Sequence, residues 1–320
     1  WTEHDLGAIS SSPTIAGDRV FVTTLTGRAY AFGLERGNLI WEWIAPPSSA
    51  LWASPVAFRD EVIIGVASPY GDTPLVAGRL YALDSGNGTV RWTECVRAGC
   101  QPGGGVWSTA AIDSRGVAFV GTGNPDDGVL AFDPMTGQRR WFASPYLDLG
   151  RDLDLGSSPV VFSLDGKEAV AQASAAGLFF ALDAGTGGML WSRPLVTGSA
   201  VHGLLATPAY DGTSFFVASA SPPTGVLALN PRDGAVRWRH STDLPVYSAP
   251  AAGNGVLIFG TGAVFGDLES GSLLALSTRD GQVLWSYDMH SAVRSGPALA
   301  GDLVVVGDYD GDVLAFRPRA

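Results

Sequence analysis

Seven residues of this chain combine aromatic, carboxylate and cationic side chains at equivalent points of a repeating pattern. They are Trp52, Trp107, Asp152, Asp154, His202, Tyr247 and Arg294. An aromatic floor beside carboxylates and a cation is typical of a ligand-binding site. On an extended segment the two Asp side chains would share one direction, because a single residue separates them. Two neighbouring carboxylates would bind a cation or raise each other's pKa.

The elements that position these residues come from a repeat that occurs seven times. Each copy has an apolar run, a turn, a Gly, and a second apolar run ending in Ala-Leu or Ala-Phe. Six copies continue through a Gly-bearing turn to a Trp, with Trp separations of 51, 49, 50, 47 and 47 residues between Trp41 and Trp285. This period suits one four-stranded blade. The sequence therefore predicts an all-β, seven-bladed β-propeller of four-stranded antiparallel blades, with residues 1–320 forming one domain.

The ends of the chain indicate how the ring closes. Residues 295–320 form the seventh repeat, which stops without its Trp, whereas the chain begins with an unpaired Trp1. The 12 residues from Trp1 to Pro13 match the interval from Trp238 to Pro250. We therefore expect residues 1–6 to supply the outer strand of the last blade, which would remove an exposed sheet edge.

Loop lengths indicate which face of the ring carries a site. The turns before each Trp are short and nearly uniform, as structural connections are. Length varies instead in the segments between blades and in the loops 68–77, 121–127 and 260–270. We expect these loops to bring the seven residues toward one mouth of the ring. Taken singly, the aromatic members would also suit blade packing, Arg294 a structural ion pair and His202 a solvated loop.

Composition and charge exclude several classes of protein. The chain is 46% apolar and 16% charged, with 42 Gly and 20 Pro, which is typical of one closed β domain. A net charge of −11 without a basic patch argues against a nucleic-acid or anionic-membrane surface. No stretch reaches the roughly 18 apolar residues of a membrane span. None of the four His residues has a Ser or Cys partner that would mark a nucleophile, and we expect a monomer.

Cys95 and Cys100 are the only cysteines. A disulfide between them would indicate an oxidising, extracytoplasmic compartment, either periplasmic or secreted. Two free thiols in a cytosolic protein are the alternative. Zinc is not favoured, because no further Cys or His pair has ligand spacing.

The turn pattern Ala-x-Asp-x-x-Thr-Gly-x-x-x-Trp, seen in 131–141 and 181–191, occurs with variations along the whole chain. It resembles the blade repeat of dehydrogenases that use pyrroloquinoline quinone (PQQ), and of their non-catalytic relatives. Those relatives include scaffolding lipoproteins of outer-membrane assembly and sensor domains attached to kinases. The resemblance implies the propeller fold and leaves the activity open.

Residues 102–159 carry a sharper likeness. The segments 102–108, 120–125 and 152–159 are similar to consecutive active-site segments of quinoprotein alcohol dehydrogenases, especially the polyvinyl-alcohol dehydrogenase-like proteins. By that resemblance the quinone would stack on Trp107, Asn124 would ligate Ca²⁺, and Asp152 would take the alcohol proton. Asp154 matches an extra carboxylate of lanthanide-using relatives. Trp52, Tyr247 and Arg294 would complete the cofactor pocket.

The chain departs from the enzyme pattern in three respects. The loop around Ser68–Thr73 lacks the family's glutamate metal ligand, and Asp72 would replace it only if this loop bends inward. There is no adjacent cysteine pair to cap the quinone, and the repeats number seven rather than eight. A Cys-x-x-Cys-His haem motif is also absent, so an electron acceptor would be external.

Two functions follow from these observations. The first is a PQQ-dependent dehydrogenase that oxidises an alcohol or polyol through a metal-bound quinone. The second is a non-catalytic propeller that binds a protein, peptide or glycan on its variable-loop face. Convergence of Asn124, Asp152 and Asp154 beneath Trp107 would favour the first.

Overall fold

The chain folds into a seven-bladed β-propeller of antiparallel sheets, as predicted. The computed structural model describes residues 1–148, 150–266 and 268–317. Asp267 of the predicted 260–270 loop and residues 318–320 of the predicted last blade lie outside this part. In the described ranges the helical segments are two three-residue 3-10 turns, Tyr70–Asp72 and Ala98–Cys100.

Each sheet is a meander whose strands follow chain order. The strands of the first three blades are β1 (Thr14–Ala16), β2 (Arg19–Thr23), β3 (Arg28–Gly33), β4 (Leu39–Ile44), β5 (Val56–Phe58), β6 (Glu61–Val66), β7 (Arg79–Asp84), β8 (Val90–Cys95), β9 (Ala111–Ile112), β10 (Ala118–Thr122), β11 (Gly128–Phe132) and β12 (Arg139–Ala143). The strands of the other four are β13 (Val160–Leu164), β14 (Lys167–Ala173), β15 (Leu178–Asp183), β16 (Met189–Pro194), β17 (Ala209–Tyr210), β18 (Phe215–Ser219), β19 (Gly225–Leu229), β20 (Val236–Ser241), β21 (Ala251–Gly253), β22 (Val256–Gly262), β23 (Gly271–Ser277), β24 (Val283–Asp288), β25 (Ala298–Ala300), β26 (Leu303–Gly307) and β27 (Val313–Phe316).

The blades divide into two compact units. The first unit comprises residues 1–161 with 184–188, and the second comprises 162–183 with 189–320. In both units the core consists of the apolar residues of the second and third strands, such as Phe119 and Leu130 in the first and Phe216 and Leu276 in the second. Strands buried on both faces explain why these runs read as continuously apolar.

The repeated Ala and Trp have a common structural role. In β3 and β4, Ala31 lies opposite Trp41, and the strand register shifts at Phe32. A small residue leaves room for the indole across the strand pair, and the bulge after it turns the chain. The same pairing occurs at Ala82 with Trp92, Ala131 with Trp141, Ala181 with Trp191, Ala228 with Trp238 and Ala275 with Trp285.

Most of these indoles also dock on the hairpin of the next repeat. The Trp41 indole N–H donates to the Ser85 carbonyl at 3.0 Å, and its ring covers Gly88 so closely that a Cβ there would lie 2.8 Å from it. The corresponding pairs are Trp92 with Gly137, Trp141 with Gly187, Trp191 with Gly234 and Trp238 with Gly281. The Gly of each turn is therefore required by a close approach as well as by its positive φ.

Trp1 docks in the same way. Its indole N–H donates to the Leu34 carbonyl at 2.8 Å, and its ring covers Gly37. Residues 1–10 form no strand, however, and the last sheet contains only β25, β26 and β27 within the described residues. The position of Trp1 is that of a blade's outer Trp, while strand pairing by residues 1–6 stays a prediction.

The Ser/Thr signals at the repeat openings tie neighbouring blades of the first unit together. Backbone N–H groups of Ser12, Ser54 and Thr109 donate to the hydroxyls of Ser54, Thr109 and Ser158, respectively. These bonds at 2.9 to 3.1 Å fix the segments that precede the first strand of each blade, which carry the candidate site residues.

Candidate functional site

Asn124 brings Asp152 and Asp154 together in the first unit. Its amide Nδ2 donates to Asp152 Oδ1 at 2.6 Å, and its backbone N–H donates to Asp154 Oδ1 at 2.9 Å. Asn124 follows β10, and both Asp residues belong to the segment between the third and fourth blades. Asn124 therefore contacts both carboxylates that the family resemblance assigned to the same active site.

The backbone conformation that brings the two carboxylates to Asn124 differs from the extended segment considered in the sequence analysis. Asp152 has a φ of 58°, so the segment is not extended there, and alternation along a strand does not align the two carboxylates. Instead, the carboxylate of Asp148 accepts the backbone N–H groups of Arg151 and Asp152 at 3.1 and 2.9 Å. This turn presents Asp152 to the Asn124 side chain, whereas Asp154 approaches the Asn124 backbone.

The Gly-rich segment 102–105 connects the carboxylates to Trp107. The Gly105 carbonyl accepts the Gly123 N–H at 2.9 Å, and the Gly104 N–H donates to the Asn124 carbonyl. At Gly123 a Cβ would lie 2.7 Å from Asp154 Cγ, so the carboxylate rests directly against bare backbone. The close approach requires Gly at this position and fixes how deeply Asp154 is seated.

Trp52 and Trp107 form an aromatic pair in the same unit. Their ring centroids are 4.9 Å apart with an interplanar angle of 34°. The Trp52 indole N–H donates to the Ser68 carbonyl at 2.9 Å, which holds this ring in place. Both side chains are only partly buried, so they combine packing with a surface on which a flat ligand can stack.

The carboxylates perturb one another's protonation. Burial, followed by the charges of Asp152 and Asp72, raises the pKa of Asp154 against the opposing effect of its bond from Asn124. Burial, then Asp72 and Asp148, likewise raises the pKa of Asp152. The pKa of Asp127 is also raised, by burial and by the neighbouring Asp154 carboxyl. A concentration of negative charge of this kind is typical of functional sites.

Asp72 is the acid that the sequence offered in place of the missing glutamate. It lies in the loop between β6 and β7, within the 3-10 turn Tyr70–Asp72. Its charge acts on both Asp152 and Asp154, so this loop does reach toward the site. It contributes negative potential there.

Sequence reasoning missed Asp127 and Asp148. Both are buried, at 2% and 5% exposure. The available signal for Asp127 was its position directly before β11, a strand with no exposed residue.

The other predicted site residues, His202, Tyr247 and Arg294, lie in the second unit. The Tyr247 hydroxyl donates to the Val201 carbonyl at 2.8 Å and lies 2.8 Å from His202 Nδ1. Arg294 stacks on the Tyr309 ring, with the guanidinium carbon 4.1 Å from the centroid. Burial raises the pKa of Tyr247, and the charge of Arg294 opposes that shift. Arg294 Nε and Nη2 are buried and find no hydrogen-bond partner in the described chain.

Cys95 and Cys100 form a disulfide with a Cα separation of 5.2 Å. The loop between them carries Arg97, which donates to the Pro102 carbonyl and pairs with Asp126 at 2.8 Å. The disulfide loop thus anchors the start of the Gly-rich segment.

The donor set fits a hard cation with mixed oxygen ligands. Across residues 1–148, 150–266 and 268–317, no three Asp, Glu, His or Cys side chains converge on a single metal position. Asn124 Oδ1 and both carboxyl oxygens of Asp127, however, are buried and accept no hydrogen bond from this part of the chain. Carboxylate and amide oxygens are ligands that Ca²⁺ and similar cations prefer.

Four-stranded blades joined by docked tryptophans are those of a β-propeller of the PQQ-like repeat class. A family model, PQQ_2, described as outer membrane protein assembly factor BamB, matches residues 1–198 and 175–320. The chain belongs to this family, which confirms the resemblance seen in its repeats.

Two sequence relatives and one solved structure are similar to this chain. The chain is 27% identical to a polyvinylalcohol dehydrogenase of Sphingopyxis sp. (strain 113P3), over 74% of this chain and 47% of that protein. It is 26% identical to the outer membrane protein assembly factor BamB of Moranella endobia (strain PCIT), over 73% and 54% of the two chains. The structure of a europium-containing methanol dehydrogenase matches with a TM-score of 0.76 at 15% identity, over 95% of this chain and 72% of that one.

The curated relatives are longer than this chain, and its identity to the solved structure is low. The chain spans about half the length of the curated relatives it matches. At 15% identity the structural match shows the fold alone. Among the described residues, no helix is long and apolar enough to cross a membrane.

Proposed function

We propose that this chain is the propeller of a PQQ-dependent dehydrogenase that oxidises an alcohol or a polyol polymer. The observation that carries the proposal is the double contact of Asn124 with Asp152 and Asp154, at 2.6 and 2.9 Å. It joins a candidate base and a candidate metal ligand. The sequence similarity to polyvinylalcohol dehydrogenases supports the substrate class.

The proposed roles follow from the chemistry of each side chain. When bound, a quinone assisted by a hard cation would accept a hydride, which carries the two electrons of the oxidation, from the alcohol carbon. Trp107, backed by Trp52, would provide the stacking surface for a flat ring system. Asn124 and Asp154 would hold the cation through oxygen atoms. In the second unit the guanidinium N–H groups of Arg294 that find no partner in the described chain would suit a carboxylate, and the roles of Arg294 and Tyr247 stay predictions.

Asp152 would act as the general base. Its Oδ1 accepts the Asn124 amide, which leaves Oδ2 to take the hydroxyl proton of the alcohol. The raised pKa of this carboxyl makes the carboxylate a stronger base than a solvated Asp. Asp148 holds the backbone N–H of Asp152 at 2.9 Å and so fixes the base in its turn.

We also propose that the protein works outside the cytoplasm. The Cys95–Cys100 disulfide supports this location, since disulfides persist in oxidising compartments. Electrons would pass to an external acceptor, because the sequence contains no Cys-x-x-Cys-His haem motif.

A second candidate function is a non-catalytic binding or scaffolding module. It is favoured by the family description as the assembly factor BamB and by the 26% identity to one such protein. In this alternative the variable-loop face would bind a protein, peptide or glycan. The carboxylates would be present but would catalyse no reaction.

A measurement of alcohol oxidation distinguishes the dehydrogenase from the non-catalytic binding module. Protein reconstituted with PQQ and Ca²⁺ or La³⁺ should oxidise alcohols or polyvinyl alcohol with an artificial dye as acceptor. Asp152→Asn should abolish turnover while quinone still quenches tryptophan fluorescence, because the base is lost and the stacking surface remains. Trp107→Ala should lose both signals.

Trp285→Phe is the matched control. This indole is 40% exposed on β24 in the second unit, where it contacts Tyr287 and Phe316. It should leave quinone binding and turnover intact. Quinone binding without oxidation of any alcohol tested, in the wild type, would reject the dehydrogenase.

A further inference from the structure

Asp127 is a buried acid without a conventional partner. It immediately precedes β11, its side chain is 2% exposed, and neither carboxyl oxygen accepts a hydrogen bond from the described residues. A carboxylate removed from water without compensation costs several kcal/mol or more. Either a proton shared with the neighbouring Asp154 carboxyl or a bound cation must therefore balance this group.

The surroundings of Asp127 are themselves acidic. Its carboxyl lies against that of Asp154, and the carboxylates of Asp148 and Asp152 also act on it. The nearby Arg97 is engaged elsewhere, with Asp126 and the Pro102 carbonyl. The protein thus concentrates negative charge around Asp127 instead of pairing it with a basic side chain.

The side-chain oxygen of Asn124 also supports a cation, because it is a hydrogen-bond acceptor that no donor of the described chain satisfies. Its Nδ2 and backbone N–H both donate to carboxylates, which identifies the remaining amide atom as the oxygen. This Oδ1 is buried and accepts no hydrogen bond within the described chain. Asn124 contacts Asp154 through its backbone N–H, and the Asp127 carboxyl lies against that of Asp154. A buried amide oxygen and buried carboxyl groups are the oxygen ligands that a hard cation would use.

We propose that Asp127 is a ligand of a hard cation, held together with Asp154 and Asn124 Oδ1. In this role Asp127 supplies an anionic ligand in place of the glutamate that the 68–73 loop lacks. Two carboxylates and one amide oxygen agree with the absence of three convergent acidic side chains in the described ranges. Asp152 is then left outside the ligand set, as its role of base requires. The inference rests on the cation of the proposed function, but cation binding is measurable without quinone.

The test uses Tb³⁺ as the probe. Metal-free full-length protein is titrated with Tb³⁺, and luminescence sensitised through tryptophan is recorded. Asp127→Asn keeps the shape of the side chain and removes its charge, and it should weaken Tb³⁺ binding at least tenfold. Asp165→Asn is the matched control, since this Asp is 62% exposed and forms a surface pair with Arg232 in the second unit.

The outcomes are distinguishable. Equal Tb³⁺ affinity in Asp127→Asn and wild type, or no saturable Tb³⁺ binding in either, would overturn the inference. Thermal unfolding of the variant at the wild-type temperature shows that a loss of binding is not a loss of fold. If Asp127→Asn loses Tb³⁺ but the wild type binds no quinone, the cation site stands and the dehydrogenase fails. If the wild type binds quinone but Asp127→Asn binds Tb³⁺ with unchanged affinity, the dehydrogenase stands and the proposed role of Asp127 fails.

Discussion

Gly123→Ala tests whether the depth at which Asp154 is seated matters for the site. The added Cβ would lie 2.7 Å from Asp154 Cγ and Oδ2 and 2.8 Å from Oδ1. Carbon atoms in contact are about 3.5–4.0 Å apart, so Asp154 must withdraw by about 1 Å. Gly123 does not have a positive φ, so the substitution introduces a steric change without left-handed backbone strain.

The size of the effect follows from the bonds that this displacement breaks. The 2.9 Å bond from the Asn124 N–H to Asp154 Oδ1 would lengthen beyond hydrogen-bonding range. A hydrogen bond to a charged group contributes about 1.5–3 kcal/mol, and Ala recovers about 0.5–1 kcal/mol of backbone entropy. We expect a net loss of about 1–2 kcal/mol in the free energy of unfolding. Tb³⁺ affinity should fall at least tenfold, because metal ligands tolerate shifts of only about 0.2 Å.

Gly156→Ala is the matched control for this prediction. A Cβ at Gly156 meets no atom within 4 Å, and this Gly also has no positive φ. Urea unfolding and Tb³⁺ titration of both variants give the two quantities. Wild-type Tb³⁺ affinity in Gly123→Ala, or equal losses in the two variants, would refute the reasoning.

Three further predictions concern stability. In chelator, Asp127→Asn should be more stable than wild type by more than about 1.4 kcal/mol at about pH 8, and similar to wild type near pH 4. The reason is that folded wild type keeps a proton on Asp127 that the unfolded chain releases above the ordinary pKa of Asp, so the stability of wild type falls as pH rises. Urea unfolding at both pH values checks the sign of this difference. Gly137→Ala should destabilise by about 2 kcal/mol or more, because its Cβ would lie 2.6 Å from the docked indole at a φ of 72°. Gly17→Ala, at a φ of 60° with open space around the added Cβ, should be destabilised only by the backbone strain, and urea unfolding measures both variants. Replacing Cys95 and Cys100 by Ser should cost about 2 kcal/mol in urea unfolding on the chain-entropy model, and an unchanged unfolding midpoint would contradict this estimate.

The fold was readable from the sequence because its determinants are local and repeated. The Ala opposite each Trp, and the Gly beneath most of them, recur at nearly constant spacing, so one blade explains the others. The N-terminal Trp1 was assigned to an outer-strand position from an interval alone, and it docks at Leu34 and Gly37 accordingly. An outer strand from residues 1–6 stays a prediction, because residues 1–10 form no strand in the described structure and pairing depends on backbone geometry that a single Trp does not determine.

The site was only partly predictable. The resemblance to quinoprotein alcohol dehydrogenases brought Asn124, Asp152 and Asp154 into one hypothesis, and in the structure Asn124 contacts both carboxylates. The left-handed backbone of Asp152 was not foreseen, since it depends on bonds from its N–H to Asp148. Asp127 and Asp148 escaped notice because burial is a tertiary property, and the acids of this chain are otherwise typical turn residues. The contact of Tyr247 with His202 joins two loops 45 residues apart, a pairing that neither loop indicates by itself.

The central claim is that the carboxylates around Asn124 and the Trp52–Trp107 pair form a cation-dependent quinone site. The most direct measurement is a titration of metal-free wild-type protein with PQQ, followed by tryptophan fluorescence, with Ca²⁺ or La³⁺ present and then removed by chelator. The account predicts saturable quenching at micromolar quinone that weakens at least tenfold when the cation is removed. Quenching that does not saturate, or that is the same with and without cation, would contradict it.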